Sequence, residues 1–320
     1  MNPEFEKYLL EVTQANSYEE IEVIQSLWSG YGKISRYQLY GSNCNTVVVK
    51  DISLGKMNNH PRGWNTNYSH QRKIKSYKVE THWYEQWNHL CNADCRVPKF
   101  LGSFSQGSDQ WIVLEDLDLN FPVRKDILKF SEVKVCLQWL ANFHAAFINT
   151  EPTGLWKIGT YWHLDTRPDE YDKIENKKLK ANAHRIDEQL NQCRFKTIVH
   201  GDAKLANFCF SEDGLSVAAL DFQYVGGGCG IKDVAYFLGS CLKSDELQEL
   251  EKPLLNAYFS ELRKACGPSF VNYAAMEKEW RDLYPLACVD FVRFLLGWMP
   301  THQKVNEYNL NLMEAVLSDF

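Results

Sequence analysis

The sequence predicts an α+β protein in which strands are concentrated in the first third of the chain and helices fill most of the rest. Runs of β-branched and aromatic residues indicate strands at 46–50, 97–104 and 111–117. Apolar residues recur at helical spacing at 132–148, 245–265 and 276–298. At 320 residues the chain could hold one large domain or two lobes.

Composition and net charge exclude several classes of protein. Hydrophobic residues make up 45% of the chain and charged residues 24%, which excludes a disordered chain. The net charge of −6 argues against a nucleic-acid or anionic-membrane partner. No apolar run is long enough to span a membrane, and the N-terminus lacks the basic start and apolar core of a signal peptide. We therefore expect no membrane partner.

The ten cysteines are scattered along the chain. Cys91 and Cys95 form the closest pair, with no second pair and no histidine at the spacing of zinc ligands. Reduced thiols and a cytoplasmic location are therefore expected. The oligomeric state stays open.

The first elements are predicted from short patterns. Apolar residues at helical spacing predict a helical start over residues 4–28. Gly30 and Gly32 follow, and they could either let backbone N–H groups approach phosphates or form a helix C-cap and a turn. The polar stretch 55–78 predicts an exposed loop, and a helix is expected over Tyr77 to Leu90.

The most informative stretch is residues 197–223. A short apolar run, Thr197 to Val199, leads into His200-Gly-Asp202 on a loop that also carries Lys204 and Asn207. A second apolar run, the turn signal Glu212-Asp-Gly214 and a returning strand then lead to Asp221. This pattern gathers two carboxylates, an amide and an ammonium at one edge of a small β unit.

These four side chains fit the needs of phosphoryl transfer. Asp202 fits a base that accepts the proton of an attacking hydroxyl, and Lys204 a cation that neutralises the transferred group. Asn207 and Asp221 fit ligands of Mg²⁺. The Asp-to-Asn spacing is that of a kinase catalytic loop. The alternative is a turn rich in Asp and Asn that merely caps two strands.

With these motifs the chain resembles the aminoglycoside phosphotransferase and choline kinase branch of the protein-kinase-like fold, and most of all the ecdysteroid kinase-like proteins. His200-Gly-Asp stands where protein kinases have His-Arg-Asp, and Asp221-Phe-Gln where they have Asp-Phe-Gly. The resemblance covers residues 20–300. It implies a bilobal fold with a small antiparallel sheet and one main helix, then a larger, mainly helical lobe, with ATP and Mg²⁺ in the cleft.

The resemblance also implies roles for residues of the first lobe. Lys50 would hold the α- and β-phosphates, and Glu80 would pair with it, with Glu85 as the alternative partner. Taken alone, Lys50 is more often the kind of strand-end lysine that reaches solvent. Backbone groups around Glu115, Asp116 and Leu117 would meet adenine. Residues 1–117 would form the nucleotide-binding lobe, and 118–320 the catalytic and substrate-binding lobe, with an insertion at about 150–196.

The segment after Asp221 indicates which class of molecule accepts the phosphate. Four glycines within residues 226–230 predict a short, flexible segment, and no Ala-Pro-Glu follows. This favours a small hydroxylated acceptor over a protein. The predicted function is an ATP-dependent small-molecule kinase, with a nucleotide-binding module without turnover and a protein kinase as the alternatives.

Several residues of the second lobe have two interpretations. The aromatic and acidic residues between Trp156 and Asp169 could hold the acceptor or pack an insertion. Asp290, Arg293 and Trp298 resemble the C-terminal helix of the family, which can reach the acceptor pocket, and the alternative is core packing with a surface ion pair. His144 is expected to be a hydrogen-bonded core residue, and Asp233 a helix N-cap.

Overall fold

The computed structural model describes residues 2–27, 30–54 and 67–320. The chain forms two compact units. The first unit comprises residues up to 90 together with 97–120, and the second unit comprises 91–96 together with 121–320.

An antiparallel sheet is the centre of the first unit. Among the described residues it has five strands, in the order β1-β2-β3-β5-β4: β1 (Ser17–Ser26), β2 (Gly32–Tyr40), β3 (Thr46–Ser53), β4 (Phe100–Gln106) and β5 (Asp109–Glu115). Helix α1 (Pro3–Thr13) buries Phe5, whose ring stacks on that of Trp111 with 4.9 Å between centroids. The core between helix and sheet continues through Leu9, Val47 and Val113.

Two predictions about helices in the first unit were wrong. The helical start over residues 4–28 ends at Thr13, because Gln14 takes a left-handed conformation with φ of +53° and β1 follows. β1 is an edge strand whose side chains are nearly all exposed, so no alternation of burial marks it in the sequence. Its β-branched Ile21 and Val23 were the available signal.

The main helix of this unit, α2 (Asn67–Gln86), begins before the predicted Tyr77. Its first turns are polar, which is why the sequence indicated a loop there. The rest of that predicted loop, 55–66, lies outside the described residues.

Helices make up most of the second unit. They are α3 (Phe130–Ala146), α4 (Pro168–Asp172), α5 (Lys177–Asn191), α6 (Ile231–Cys241), α7 (Ser244–Cys266), α8 (Tyr273–Trp298) and α9 (Glu307–Ser318). Helix α3 packs on α7, and α8 packs on α4, α5, α6 and α9. Two short antiparallel pairs carry the loop around residue 202: β6 (Thr197–Val199) with β9 (Gly226–Gly228), and β7 (Phe208–Phe210) with β8 (Val217–Ala219).

The predicted α+β class, with a small antiparallel sheet followed by a mainly helical part, is confirmed. No helix in the described ranges is long and apolar enough to cross a membrane.

The glycine-rich segment after Asp221 is a strand, so the prediction of flexibility was wrong. The backbone of Trp156 accepts from Gly227 at 3.0 Å and donates to Val225 at 3.1 Å. A Cβ at Gly226 would lie 2.2 Å from the Trp156 carbonyl oxygen. The glycines therefore serve close approach of two backbones.

The stacked Phe5 leads to the first prediction. Phe5→Ala removes a fully buried ring and should lower the unfolding free energy of the protein by about 3–5 kcal/mol. Urea unfolding followed by tryptophan fluorescence measures the change. Val271→Ala, at a side chain that is 87% exposed, is the control and should change it little. Equal effects of the two substitutions would contradict the packing of α1.

Candidate active site

The carboxylate of Asp233 holds the loop between β6 and β7. Asp233 lies in the first turn of α6, is fully buried, and accepts the backbone N–H of His200 at 2.6 Å and of Gly201 at 3.0 Å. His144 of α3 lies 3.2 Å from the same carboxylate. Asp233 thus binds a neighbouring loop rather than capping its own helix as predicted, and His144 is the predicted hydrogen-bonded core residue.

His200 is a neutral structural residue. Its Nδ1 accepts the backbone N–H of Asp202 at 3.2 Å, which assigns the ring proton to Nε2, 3.1 Å from the carbonyl oxygen of Leu220. Full burial lowers the pKa of this imidazole, although nearby carboxylates act in the opposite direction. The ring therefore fixes the backbone next to Asp202 and adds no charge.

Asp202 is the centre of the site, with both carboxylate oxygens in hydrogen bonds. Its Oδ2 accepts from Lys204 Nζ at 2.9 Å and from Asn207 Nδ2 at 3.2 Å, and its Oδ1 accepts from the hydroxyl of Tyr236 at 3.1 Å. The Asn207 amide also donates to the Asp202 carbonyl oxygen at 2.8 Å. The side chain is thereby held in one orientation.

Lys204 supplies positive charge beside Asp202. Burial by itself would lower the pKa of this ammonium, but the charges of Asp202 and Asp221 raise it above its ordinary value. The lysine side chain is still 38% exposed, so a ligand could reach it.

Asp221 follows β8. A backbone hydrogen bond of the preceding residue, Leu220, links this position to Asn207. The N–H of Leu220 donates to the Asn207 carbonyl oxygen at 3.1 Å, and Gln223 donates to Asp221 Oδ1 at 2.9 Å. The φ of Asp221 is +70°, a conformation that a non-glycine residue adopts at some cost. Such backbone strain is common at functional sites.

Asn207 and Asp221 fit a magnesium site that is completed by other oxygens. No group of three or more His, Cys, Asp or Glu side chains in the described ranges could hold a metal ion. One carboxylate and one amide suit Mg²⁺ when phosphate and water oxygens provide the remaining ligands.

In the first unit, Lys50 pairs with Glu80. Lys50 is 5% exposed on β3, and its Nζ donates to the Glu80 carboxylate oxygens at 2.7 and 2.9 Å. Glu85, the alternative partner, instead accepts from Ser103. Lys50 is therefore not the strand-end lysine in solvent that the sequence left possible.

The side chains of the predicted adenine segment bind their own unit. Glu115 accepts the backbone N–H of Lys99 at 2.9 Å, and Asp116 accepts from Arg36 at 2.8 Å. Leu117 is buried. Contact of this backbone with adenine stays a prediction. Strand β1 ends at Ser26, before Gly30, and the two residues that directly precede Gly30 lie outside the described residues. Both interpretations of Gly30 and Gly32 therefore stay predictions.

Glycine is required at position 201. Its φ is +79°, and a Cβ there would lie 2.1 Å from the Tyr224 carbonyl oxygen and 2.8 Å from the Thr160 nitrogen. Thr160 and Tyr161 hydrogen-bond across this contact, to Tyr224 and Gly201 respectively. The loop thus packs directly on the segment that begins at residue 159.

Three residues of the second unit that had two interpretations are buried in the structure, while contact of this region with an acceptor stays a prediction. Trp162 is fully buried and donates to Asp290 Oδ2 at 3.0 Å. Arg293 binds Asp290 Oδ1 at 2.8 Å, and both side chains are fully buried, so the predicted surface location of this pair was wrong. Sequence reasoning also missed Tyr236. Its signal was the spacing Asp233-x-x-Tyr236, which places both residues on one helix face.

A comparison with models of protein families gives a match over the part of the chain that contains the loop between β6 and β7. Residues 160–267 match the model of the ecdysteroid kinase-like family. This confirms the resemblance predicted from the His200-Gly-Asp and Asp221-Phe-Gln motifs. No curated protein sequence matches the chain significantly.

Solved structures show the fold. An amicoumacin kinase in complex with AMP-PNP, Ca²⁺ and Ami is similar over 100% of this chain and 93% of its own, with a TM-score of 0.54 and 12% identity. A type VIII aminoglycoside-3'-phosphotransferase has a TM-score of 0.46 and 14% identity, over 84% of this chain and 95% of its own. A Plasmodium vivax ethanolamine kinase has a TM-score of 0.48 and 10% identity, over 94% and 81%. The first of these confirms the predicted kinase-like fold.

The contact at Gly201 leads to the second prediction. Gly214 has a similar φ of +70°, but a Cβ there would meet only the ends of two side chains, the Glu132 carboxylate at 3.4 Å and the Lys125 ammonium at 3.9 Å. Gly214→Ala should cost about 1–2 kcal/mol of unfolding free energy from the backbone conformation alone. Gly201→Ala should cost a further ~1–3 kcal/mol, because the backbone of Tyr224 must move. Urea unfolding measures both, and equal costs would contradict the close approach at residue 201.

Proposed function

We propose that the protein is an ATP-dependent small-molecule kinase that transfers the γ-phosphate of ATP to a hydroxyl group. The observation that carries this proposal is the fixed orientation of the Asp202 carboxylate between Lys204, Asn207 and Tyr236. The ecdysteroid kinase-like match over residues 160–267 and the kinase-like fold support it. A cytoplasmic location is part of the same proposal.

In this reaction the acceptor hydroxyl oxygen forms a bond to the γ-phosphorus, and the bond from that phosphorus to the bridging oxygen of ADP breaks. Asp202 orients the hydroxyl and receives its proton. Lys204 neutralises charge on the transferred group. Because His200 is neutral, it holds the loop without reducing the basicity of Asp202 through an added positive charge.

Nucleotide and metal binding complete the proposal. Lys50, oriented by Glu80, holds the α- and β-phosphates of ATP, and the backbone at Glu115, Asp116 and Leu117 binds adenine. Asn207 and Asp221 hold Mg²⁺, which would neutralise phosphate charge when bound. Residues 1–117 then form the nucleotide-binding lobe, and 118–320 the catalytic and substrate-binding lobe.

A small acceptor is favoured over a protein. The segment after Asp221 is a short strand, Gly226–Gly228, paired with β6 and followed at once by α6. This arrangement leaves no long activation segment on which a peptide substrate could bind.

Replacement of Asp202 is the main test of the proposal. Asp202→Asn keeps the size of the side chain but cannot accept the proton, so turnover should fall by about 100-fold or more while Mg·ATP binding persists. The assay measures ATP consumption and phosphorylated product across a panel of hydroxylated compounds. Protection against heat by Mg·ATP reports binding separately.

The two readouts separate the outcomes. Full turnover by Asp202→Asn would contradict the role of Asp202. No turnover by the wild type, with heat protection intact, would favour a nucleotide-binding module or an acceptor outside the panel. Loss of both in the wild type would contradict the proposed function.

Asp221→Ala tests the metal site and should act differently. Removal of this carboxylate should weaken Mg·ATP binding by about tenfold or more, because the second unit loses its one proposed anionic metal ligand. The midpoint of heat protection against Mg·ATP concentration measures the change. Asp213→Ala, at an exposed turn in the same β unit, is the matched control and should leave that midpoint unchanged. An unchanged midpoint in Asp221→Ala would rule out its role as a metal ligand.

A further inference from the structure

A second lysine lies close to Asp202, and the proposed mechanism does not use it. The Nζ of Lys304 is 4.6 Å from the centre of the Tyr236 ring and 5.3 Å from that of Phe291. Tyr236 is the residue whose hydroxyl donates to Asp202 Oδ1. Within the described ranges, no hydrogen bond or ion pair reaches this ammonium from another side chain or from the backbone.

Hydrogen bonds hold the backbone around Lys304 in place. The N–H of Lys304 donates to the ring Nδ1 of His302 at 3.1 Å, and its carbonyl oxygen accepts from the Asn309 amide at 2.9 Å. The N–H of Val305 donates to the His302 carbonyl oxygen at 2.8 Å. The loop between α8 and α9 therefore presents Lys304 to the aromatic rings.

Those rings belong to a buried aromatic cluster that contacts the Asp202 carboxylate at Oδ1 through the Tyr236 hydroxyl. Tyr161, Tyr236 and Phe291 lie within 6.4 Å of one another, centroid to centroid, and the Tyr161 side chain interacts electrostatically with Asp202. Aromatic faces bind the apolar part of a ligand, and they also bind organic cations. By themselves they would suit either a neutral alcohol or a positively charged amino alcohol.

Lys304 distinguishes these two classes of acceptor. Its ammonium lies over Tyr236 and Phe291, the two rings that would otherwise attract the cationic group of an acceptor. A second positive charge at the same rings would be repelled by Lys304 and also by Lys204.

We propose that Lys304 sets acceptor specificity by excluding positively charged alcohols, so that the compound phosphorylated at Asp202 is uncharged or anionic near its reacting hydroxyl. This inference rests on the proposed function and narrows its substrate class. Lys304 itself takes no part in the transfer of the phosphoryl group.

The charge state of Lys304 is consistent with this role. Burial lowers the pKa of its ammonium to about 8, with Lys204 acting in the same direction and Asp202 and Cys241 opposing it. The ammonium form therefore still predominates at pH 7. His302, on the same loop, has a lowered pKa because of burial and the charge of Lys304, and so adds no positive charge.

The test uses three benzyl alcohols that share a shape and differ in charge. They are para-methylbenzyl alcohol, para-(hydroxymethyl)benzoate and para-(aminomethyl)benzyl alcohol. Calorimetry measures binding of each in the presence of Mg·AMP-PNP, and mass spectrometry measures phosphorylation with Mg·ATP. The wild type should prefer the anionic or uncharged probe to the cationic one by about tenfold or more.

Two variants change the charge at this position. Lys304→Met keeps the apolar stem and should bring the preference close to unity, whereas Lys304→Glu should reverse it towards the cationic probe. Lys180→Glu is the matched control, because Lys180 also lies over a tyrosine ring of the second unit, 5.3 Å from the centre of Tyr171. It should leave the preference unchanged, and thermal unfolding confirms that each variant is folded.

The outcomes separate this inference from the proposed function. A wild type that prefers the cationic probe, or binds none of the three, would overturn the inference. An equal loss of turnover for all probes in Lys304→Met would indicate that Lys304 binds the phosphates of ATP. That result would overturn the inference as well. Asp202→Asn should instead lower phosphorylation of every probe by about 100-fold or more without changing their order of binding. Retained phosphorylation in that variant would contradict the proposed function.

Discussion

The second unit depends on one buried carboxylate. Asp233 is fully buried and accepts two consecutive backbone N–H groups, those of His200 and Gly201. Through His144, which also hydrogen-bonds Tyr258 at 2.8 Å, the same carboxylate joins α6 to α3 and α7. Buried N–H groups without a partner are costly, so the loop has one favourable path past α6. The position of Asp202 follows from that path.

Two aspartates close in space thus serve different purposes because their surroundings differ. Asp233 is surrounded by the protein, and its partners are two backbone N–H groups and the fully buried ring of His144. Asp202 is 7% exposed, and its partners are the side chains of Lys204, Asn207 and Tyr236. One carboxylate therefore builds the loop, and the other faces the position proposed for the acceptor. Neutral His200 separates them without adding charge.

Site residues that are close together in the sequence could be predicted, and those far apart in the sequence mostly could not. Asp202, Lys204 and Asn207 lie within one loop, so their spacing alone indicated a shared chemistry. Lys50 and Glu80 are separated by 30 positions, and only the family resemblance paired them. Tyr236 meets Asp202 across 34 positions, and its one signal was its place on the same helix face as Asp233. Lys304 comes from a loop later still, and no local pattern associated it with the site. Strand β1 was missed for another reason, because an exposed edge strand has no buried face to produce an alternating pattern.

The glycine at position 201 has a consequence for control of the protein. In protein kinases an arginine stands at this place, and phosphorylation of the activation loop works by giving arginine side chains a phosphate to bind. Here the backbones of Tyr224 and Thr160 fill the space that any side chain would need. The loop is already packed in one arrangement, and position 201 offers no guanidinium to a phosphorylated residue. A switch of that kind is therefore not built into this loop.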